Sequence, residues 1–167
     1  MSLAIVHSRG LDGLSAPAVA VEVYISGGLP RVTLVGLPDT EVKEAGDRVR
    51  AALLSSGFEF PARRITINLA PAELPKESGR FDLPIALGIL AASGQIAATA
   101  LDDYEFAGEL SLSGTLRPIR GALAMVLAAG PSGRRFVLPE ASAQEAVLAQ
   151  GEPILTANTL LEVCAHL

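Results

Sequence analysis

The chain has 167 residues, 50% of them hydrophobic and 19% charged, with a formal net charge of −5. That length suits one domain with a real core, and the apolar content excludes a disordered chain. The net acidity argues against a domain that coats DNA over its whole surface. The single cysteine, Cys164, excludes a disulfide framework and a cysteine metal cluster, and points to a reducing, cytoplasmic setting.

Ser2 to Ser8 alternates and predicts a strand, with Gly10 and Gly13 in the turn that follows. Pro17 to Ser26 sets Val19, Val21, Val23 and Ile25 against Ala18, Ala20, Glu22 and Tyr24, a period of two. Gly27-Gly28 turns the chain and Arg31 to Val35 returns it, which predicts an antiparallel unit. A helix begins after Asp39, its expected N-cap, and buries Val42, Ala45, Val49, Ala52, Leu53 and Ser56 before Gly57 ends it. Glu44 and Arg48 sit four apart on it, in the favourable order.

Arg63 to Leu69 is another alternating strand. A proline-rich loop leads to an apolar helix from Phe81 or Asp82 to about Ala92, with Asp82 placed to cap it and Pro84 in its first turn. Leu83 to Leu101 carries no charge, but Pro84, Gly88, Ser93, Gly94, Gln95 and Thr99 interrupt it, so a buried helix and loop is expected rather than a membrane span. Two short strands flank Ser113-Gly114. A helix from about Gly121 to Ala129, a strand at Phe136 to Leu138 and a helix from Glu140 to Gln150 follow, the last with Ala143, Val147 and Leu148 inward. A final strand, Ile154 to Thr156, and a helix, Thr159 to Ala165, complete a single α+β domain spanning residues 1–167.

Catalytic signals are sparse. No G-x-x-x-x-G-K-[ST] loop occurs, and Gly27-Gly28-Leu29-Pro30 reads as a turn rather than a phosphate cradle. His7 and His166 are the only histidines, and no metal-ligand spacing is present. Lys43 and Lys76 are the only lysines among 13 basic residues. Ser78 lies near Lys76, but Glu77 would keep that lysine protonated, against a Ser–Lys dyad.

Three blocks carry a specific likeness: Val35-Gly36-Leu37-Pro38-Asp39-Thr40 with Val42-Lys43-Glu44-Ala45, Ile67-Asn68-Leu69-Ala70-Pro71-Ala72-Glu73-Leu74-Pro75-Lys76-Glu77, and Gly79-Arg80-Phe81-Asp82-Leu83-Pro84-Ile85-Ala86. Together they resemble the N-terminal domain of the magnesium-chelatase-like AAA+ ATPases of the ComM/YifB type, over nearly the whole chain. The resemblance implies a Lon-protease-like fold, shared with domain 2 of ribosomal protein S5, and an ATPase module beyond this chain that uses ATP and Mg. It implies a hexameric, cytoplasmic DNA helicase that promotes branch migration in natural transformation and recombination, with DNA as partner and no membrane.

An active Lon protease carries its serine in a P-K-D-G-P-S-A-G run and its lysine after a glycine-rich run that ends near a leucine. Those positions fall on Phe81 and Leu123, so the resemblance implies a non-catalytic domain with no catalytic residues, no metal and no cofactor of its own. Arg48, Arg50, Arg63, Arg64, Lys76 and Arg80 form the candidate contact surface for DNA phosphates or a neighbouring subunit; the plain alternative is solvated surface paired with Glu41, Glu44, Glu73 and Glu77. Two other readings stay open: a Ser–Lys hydrolase, and an accessory domain of a metal-chelatase ATPase.

Overall fold

The computed structural model describes residues 2–167. The first sheet comprises β1 (Ser2–Arg9), β2 (Ala18–Ser26), β3 (Arg31–Val35) and β4 (Arg64–Ala70), in the order β1-β2-β4-β3. Its period-two pattern decides which face is covered. Ala4, Val6, Val19, Val21, Val23, Ile25, Ile65, Ile67 and Leu69 are buried, while Leu3, Ile5 and Tyr24 point to the open face.

β1 and β2 are antiparallel, as are β2 and β4, but β3 runs parallel to β4. The hairpin expected at Gly27-Gly28 is therefore not formed. The connection from β3 to β4 runs through α1 (Thr40–Lys43) and α2 (Ala45–Ser55), and such a crossover brings the chain back in the same direction. β4 takes the slot beside β2 and leaves β3 at the edge. The predicted single helix is two, broken at Glu44, with Asp39 capping the first through a 2.9 Å bond from the Val42 N–H.

α3 (Asp82–Ala92) lies under the sheet with all eleven residues buried. Gly88 is what lets it lie so close: a Cβ there would sit 2.5 Å from Val23 Cγ2. Each fully buried Leu or Ile on this helix contributes about 2 kcal/mol of transfer free energy. The helix ends at Gly94, whose φ of +78° lets Gln95 N–H reach back to the Leu90 carbonyl at 2.8 Å. No helix among the described residues is long and apolar enough to cross a membrane.

The second half repeats strand and helix. β5 (Tyr104–Phe106), β8 (Arg135–Pro139) and β9 (Ile154–Ala157) form a parallel sheet in the order β5-β8-β9. β6 (Glu109–Leu110) and β7 (Leu116–Arg117) form a small hairpin, α4 (Ala122–Ala129) and α5 (Ala143–Ala146) connect strands, and α6 (Leu160–His166) closes the chain behind its Thr159 cap. The helix expected over Glu140 to Gln150 is a single turn, Ala143–Ala146, flanked by a 3-10 turn. Val147 and Leu148, expected inward, are 57% and 66% exposed, while Ala146 and Ala149 face the core. The result is the α+β mixture expected from the pattern of elements.

The two sheets meet at a buried acid. Glu105 on β5 receives Arg9 Nε at 2.7 Å and Arg9 Nη2 at 3.2 Å from β1, the Ser132 hydroxyl at 3.0 Å, and Arg134 at 3.6 Å. Ser8 Oγ donates to the Phe106 carbonyl at 2.6 Å beside it.

Candidate nucleic-acid interface

The six basic residues singled out in the sequence do not form one surface. Lys76 and Arg80 are each only 1% exposed. The Lys76 ammonium donates to the Pro71 carbonyl, and its burial lowers its pKa, against the opposing pull of Glu73. Arg80 reaches the Glu77 carbonyl, the Ser78 hydroxyl and the Arg120 carbonyl, and its Nη2 has no partner among the described residues. Both side chains are buried because the proline-rich loop folds back over them: Asp39 N–H bonds the Lys76 carbonyl and Lys76 N–H bonds the Leu37 carbonyl.

Arg48 also turns inward. It holds Asp82, the first residue of α3, through two bonds of 2.7 and 3.0 Å. Asp82 is thus a buried ion-pair partner, which also accepts the Leu110 N–H at 3.0 Å, and does not cap its helix as the sequence predicts. The expected Glu44–Arg48 pair forms at 3.7 Å and is secondary to it. Burial pushes the Asp82 carboxyl up to about 6, although Arg48 and the Leu110 N–H pull it down. A carboxyl with a raised folded-state pKa favours the fold most when neutral. Its contribution is complete below about pH 4 and is lost as pH rises through about 6. Urea midpoints measured from pH 4 to 7 are expected to fall more in the wild-type chain than in Asp82→Asn, and parallel curves would refute the shift.

Arg50, Arg63 and Arg64 remain outside. A groove of about 610 Å³ opens between α2 and the β3–β4 edge, lined by Arg31, Lys43, Asp47, Arg50, Phe60 and Arg63 among others. Four cations face one carboxylate, and no ion pair engages any of these four among the described residues. The Arg50 guanidinium lies 5.1 Å over the Phe60 ring, which fixes its position and occupies a face that a base would need for stacking. Arg64 is the register partner of Arg31 across β3 and β4, so the positive field continues onto the open face of the sheet.

Sequence reasoning missed Arg31 and Lys43. Lys43, Asp47 and Arg50 follow the i, i+4, i+7 spacing of one helix face, so that signal was present. Arg31 carried none, because its proximity to Arg63 and Arg64 depends on the parallel pairing of β3 with β4.

Other candidate chemistry finds little support in the geometry. Gly27-Gly28 joins strand to strand, so no helix N-terminus follows it to receive a phosphate. Among the described residues Lys76 does not bond Ser78, whose hydroxyl instead accepts from Arg80 Nε at 3.1 Å. Phe81 is buried in the core under the first sheet, and Leu123 packs against the separate core of the second half. No group of three or more His, Cys, Asp or Glu that could hold a metal occurs among the described residues.

Comparison with known proteins decides the family. Residues 21–142 match the family described as subunit ChlI of Mg-chelatase. Over all 167 residues the chain is 54% identical to YifB of Escherichia coli and 53% identical to competence protein ComM of Haemophilus influenzae. The chain belongs to the magnesium-chelatase-like family of ComM and YifB. It is also 40% identical, over 96% of its length, to protein Rv2897c of Mycobacterium tuberculosis. It spans about a third of the length of these relatives: 33% of YifB and ComM and 32% of Rv2897c. The groove lies in the stretch that the chain shares with these relatives.

Proposed function

We propose that this chain is a non-catalytic, Lon-like domain through which a ComM-type protein engages DNA phosphates. The observation that carries this reading is the groove of Arg31, Lys43, Arg50 and Arg63 facing a single carboxylate, Asp47, in a chain of net charge −5. A concentrated positive field on an acidic domain attracts a polyanion at one place and repels it elsewhere. The groove offers guanidinium forks, and its one aromatic ring, Phe60, already carries Arg50 on a face, which suits backbone contact without base readout. On this reading ATP and Mg act in the remaining two thirds of the protein, where a hexameric cytoplasmic ring would drive branch migration during transformation and recombination. This domain would then hold the strand or duplex as it passes.

The test is a full-length ComM-type protein carrying Arg50→Ala and Arg63→Ala together. DNA affinity is expected to fall roughly tenfold or more at moderate salt. The slope of log K against log salt is expected to become shallower by about 1.4 to 1.8, because two phosphates are no longer neutralised by the protein. Unchanged slope and affinity would remove the groove from DNA binding. If hexamer assembly alone fails in sedimentation, the groove is a subunit contact instead. The family description favours one further reading, an accessory role in metal chelation, which ATP-dependent metal insertion by the full-length protein would reveal.

A further inference from the structure

β3 is an edge strand, and one side of its backbone is unpaired. The Arg31 N–H donates to the Arg63 carbonyl at 3.4 Å, and the parallel register runs on to Val35 opposite Asn68. Successive residues of a strand turn their N–H and C=O to opposite sides, so Arg31, Thr33 and Val35 bond β4. The N–H and C=O groups of Val32 and Leu34 therefore point the other way, off the edge of the sheet. No loop, helix or side chain among the described residues takes them up. Val32 and Leu34 are half-buried, and both line the groove of about 610 Å³ beside α2, so this edge borders open space.

The surroundings decide what can pair with it. Arg31, Lys43, Arg50 and Arg63 line the groove against one carboxylate, Asp47. A second copy of β3 laid on this edge would set these cations against their own kind, and charge of this sort is how natural edge strands avoid self-pairing. DNA phosphates accept hydrogen bonds and donate none, so they leave the Val32 and Leu34 carbonyls without a donor. A peptide main chain supplies donors and acceptors in alternation. Every second side chain of such a strand projects over the covered face of the sheet, towards α2 and its Arg50. A carboxylate at those positions complements the groove.

We propose that the β3 edge binds an extended acidic peptide as an added strand. The peptide main chain pairs with the N–H and C=O of Val32 and Leu34, and its carboxylates face Lys43 and Arg50. The groove's cations then serve two ligands in turn, because a peptide seated there keeps DNA phosphates from them. That competition rests on the DNA reading above; the strand pairing does not.

The probe is a synthetic peptide of about eight residues, alternating Glu and Thr, added to the 167-residue chain. In the free chain the amides of Thr33 and Val35 are expected to exchange with deuterium about tenfold more slowly than those of Val32 and Leu34. Saturating peptide is expected to slow Val32 and Leu34 by about tenfold as well. Two N-methylated peptides separate main-chain pairing from charge, one blocked at the Glu amides and one at the Thr amides. One is expected to lose binding and the other to keep it, because only alternate amides face β3. Lys43→Glu, a change at an exposed position, is expected to weaken peptide binding about tenfold. Displacement of a bound oligonucleotide by the peptide supports the shared use of the groove. Peptide binding with the same exchange pattern in a chain that binds no DNA supports the strand pairing and removes the DNA reading instead. Full binding by both N-methylated peptides, or no added protection of Val32 and Leu34 at about 1 mM peptide, would overturn the proposal.

Discussion

Asp82→Ala lowers the unfolding free energy by about 3 to 4 kcal/mol in urea denaturation, the largest loss expected from any single truncation of a polar side chain here. Two groups lose their partner at once. Arg48, only 19% exposed, is left without the carboxylate that it grips through two bonds, and the Leu110 N–H is left without an acceptor. The effect sits toward the lower end of the range for a broken buried pair because Arg48 keeps the Glu41 carbonyl at 2.7 Å and the exposed Glu44. The intact pair is not therefore strongly stabilising. Burial holds the carboxyl at about 6, so much of the Coulombic attraction is offset by desolvation. What the pair provides is position: it fixes α2 against the first turn of α3 and against β6. Asp82→Asn, which keeps an acceptor for Leu110, should lose less than Asp82→Ala. A loss below about 1 kcal/mol in the alanine variant would show that the pin is dispensable.

Gly36→Ala is expected to cost about 3 kcal/mol, and to do so without removing any side chain. Gly36 leaves β3 at φ +106°, a conformation that a side chain strains. An added Cβ would collide with the Leu69 carbonyl oxygen and lie 2.9 Å from the Leu69 carbonyl carbon and nitrogen. Those atoms belong to the backbone of β4, so no rotamer change relieves the clash. The edge strand β3 must shift, and with it Arg31 in the groove. Gly27→Ala is the control, because nothing lies within 4 Å of the position and its backbone is not left-handed. Thermal melts of the two variants should differ by several degrees. Equal melting temperatures would contradict the close crossing.

The sequence carried the elements better than their partners. β2 and β4 were legible because Val19, Val21, Val23 and Ile25, then Ile65, Ile67 and Leu69, repeat with a period of two that only a half-covered sheet requires. The pairing of β3 was not, since Gly27-Gly28 satisfies the chemistry of a hairpin turn and nothing local reveals that β4 will occupy the place beside β2. Val147 and Leu148 misled for a related reason. They fit a helical stripe, but the helix lasts one turn and Gly151, at φ +84°, redirects the chain. The basic surface was half legible. Arg50, Arg63 and Arg64 are exposed as their charge suggests, whereas Lys76, Arg80 and Arg48 are drawn inward by a folded loop and a buried aspartate that composition does not reveal.

The junction at Glu105 bears on how the chain acquires its shape during synthesis. Arg9 and Glu105 are 96 positions apart, and Arg134 lies further on. At roughly 5 to 20 residues per second, the first strand waits about 5 to 20 seconds on the ribosome before its acid partner exists. The hairpin of β1 and β2 can form within that interval, since its register needs only the first 26 residues. Its covered face cannot be closed, because α3 is made 56 residues after β2 ends. An apolar ribbon of valines is therefore presented to the cell before its lid arrives, and the two sheets lock together only once the second half has emerged.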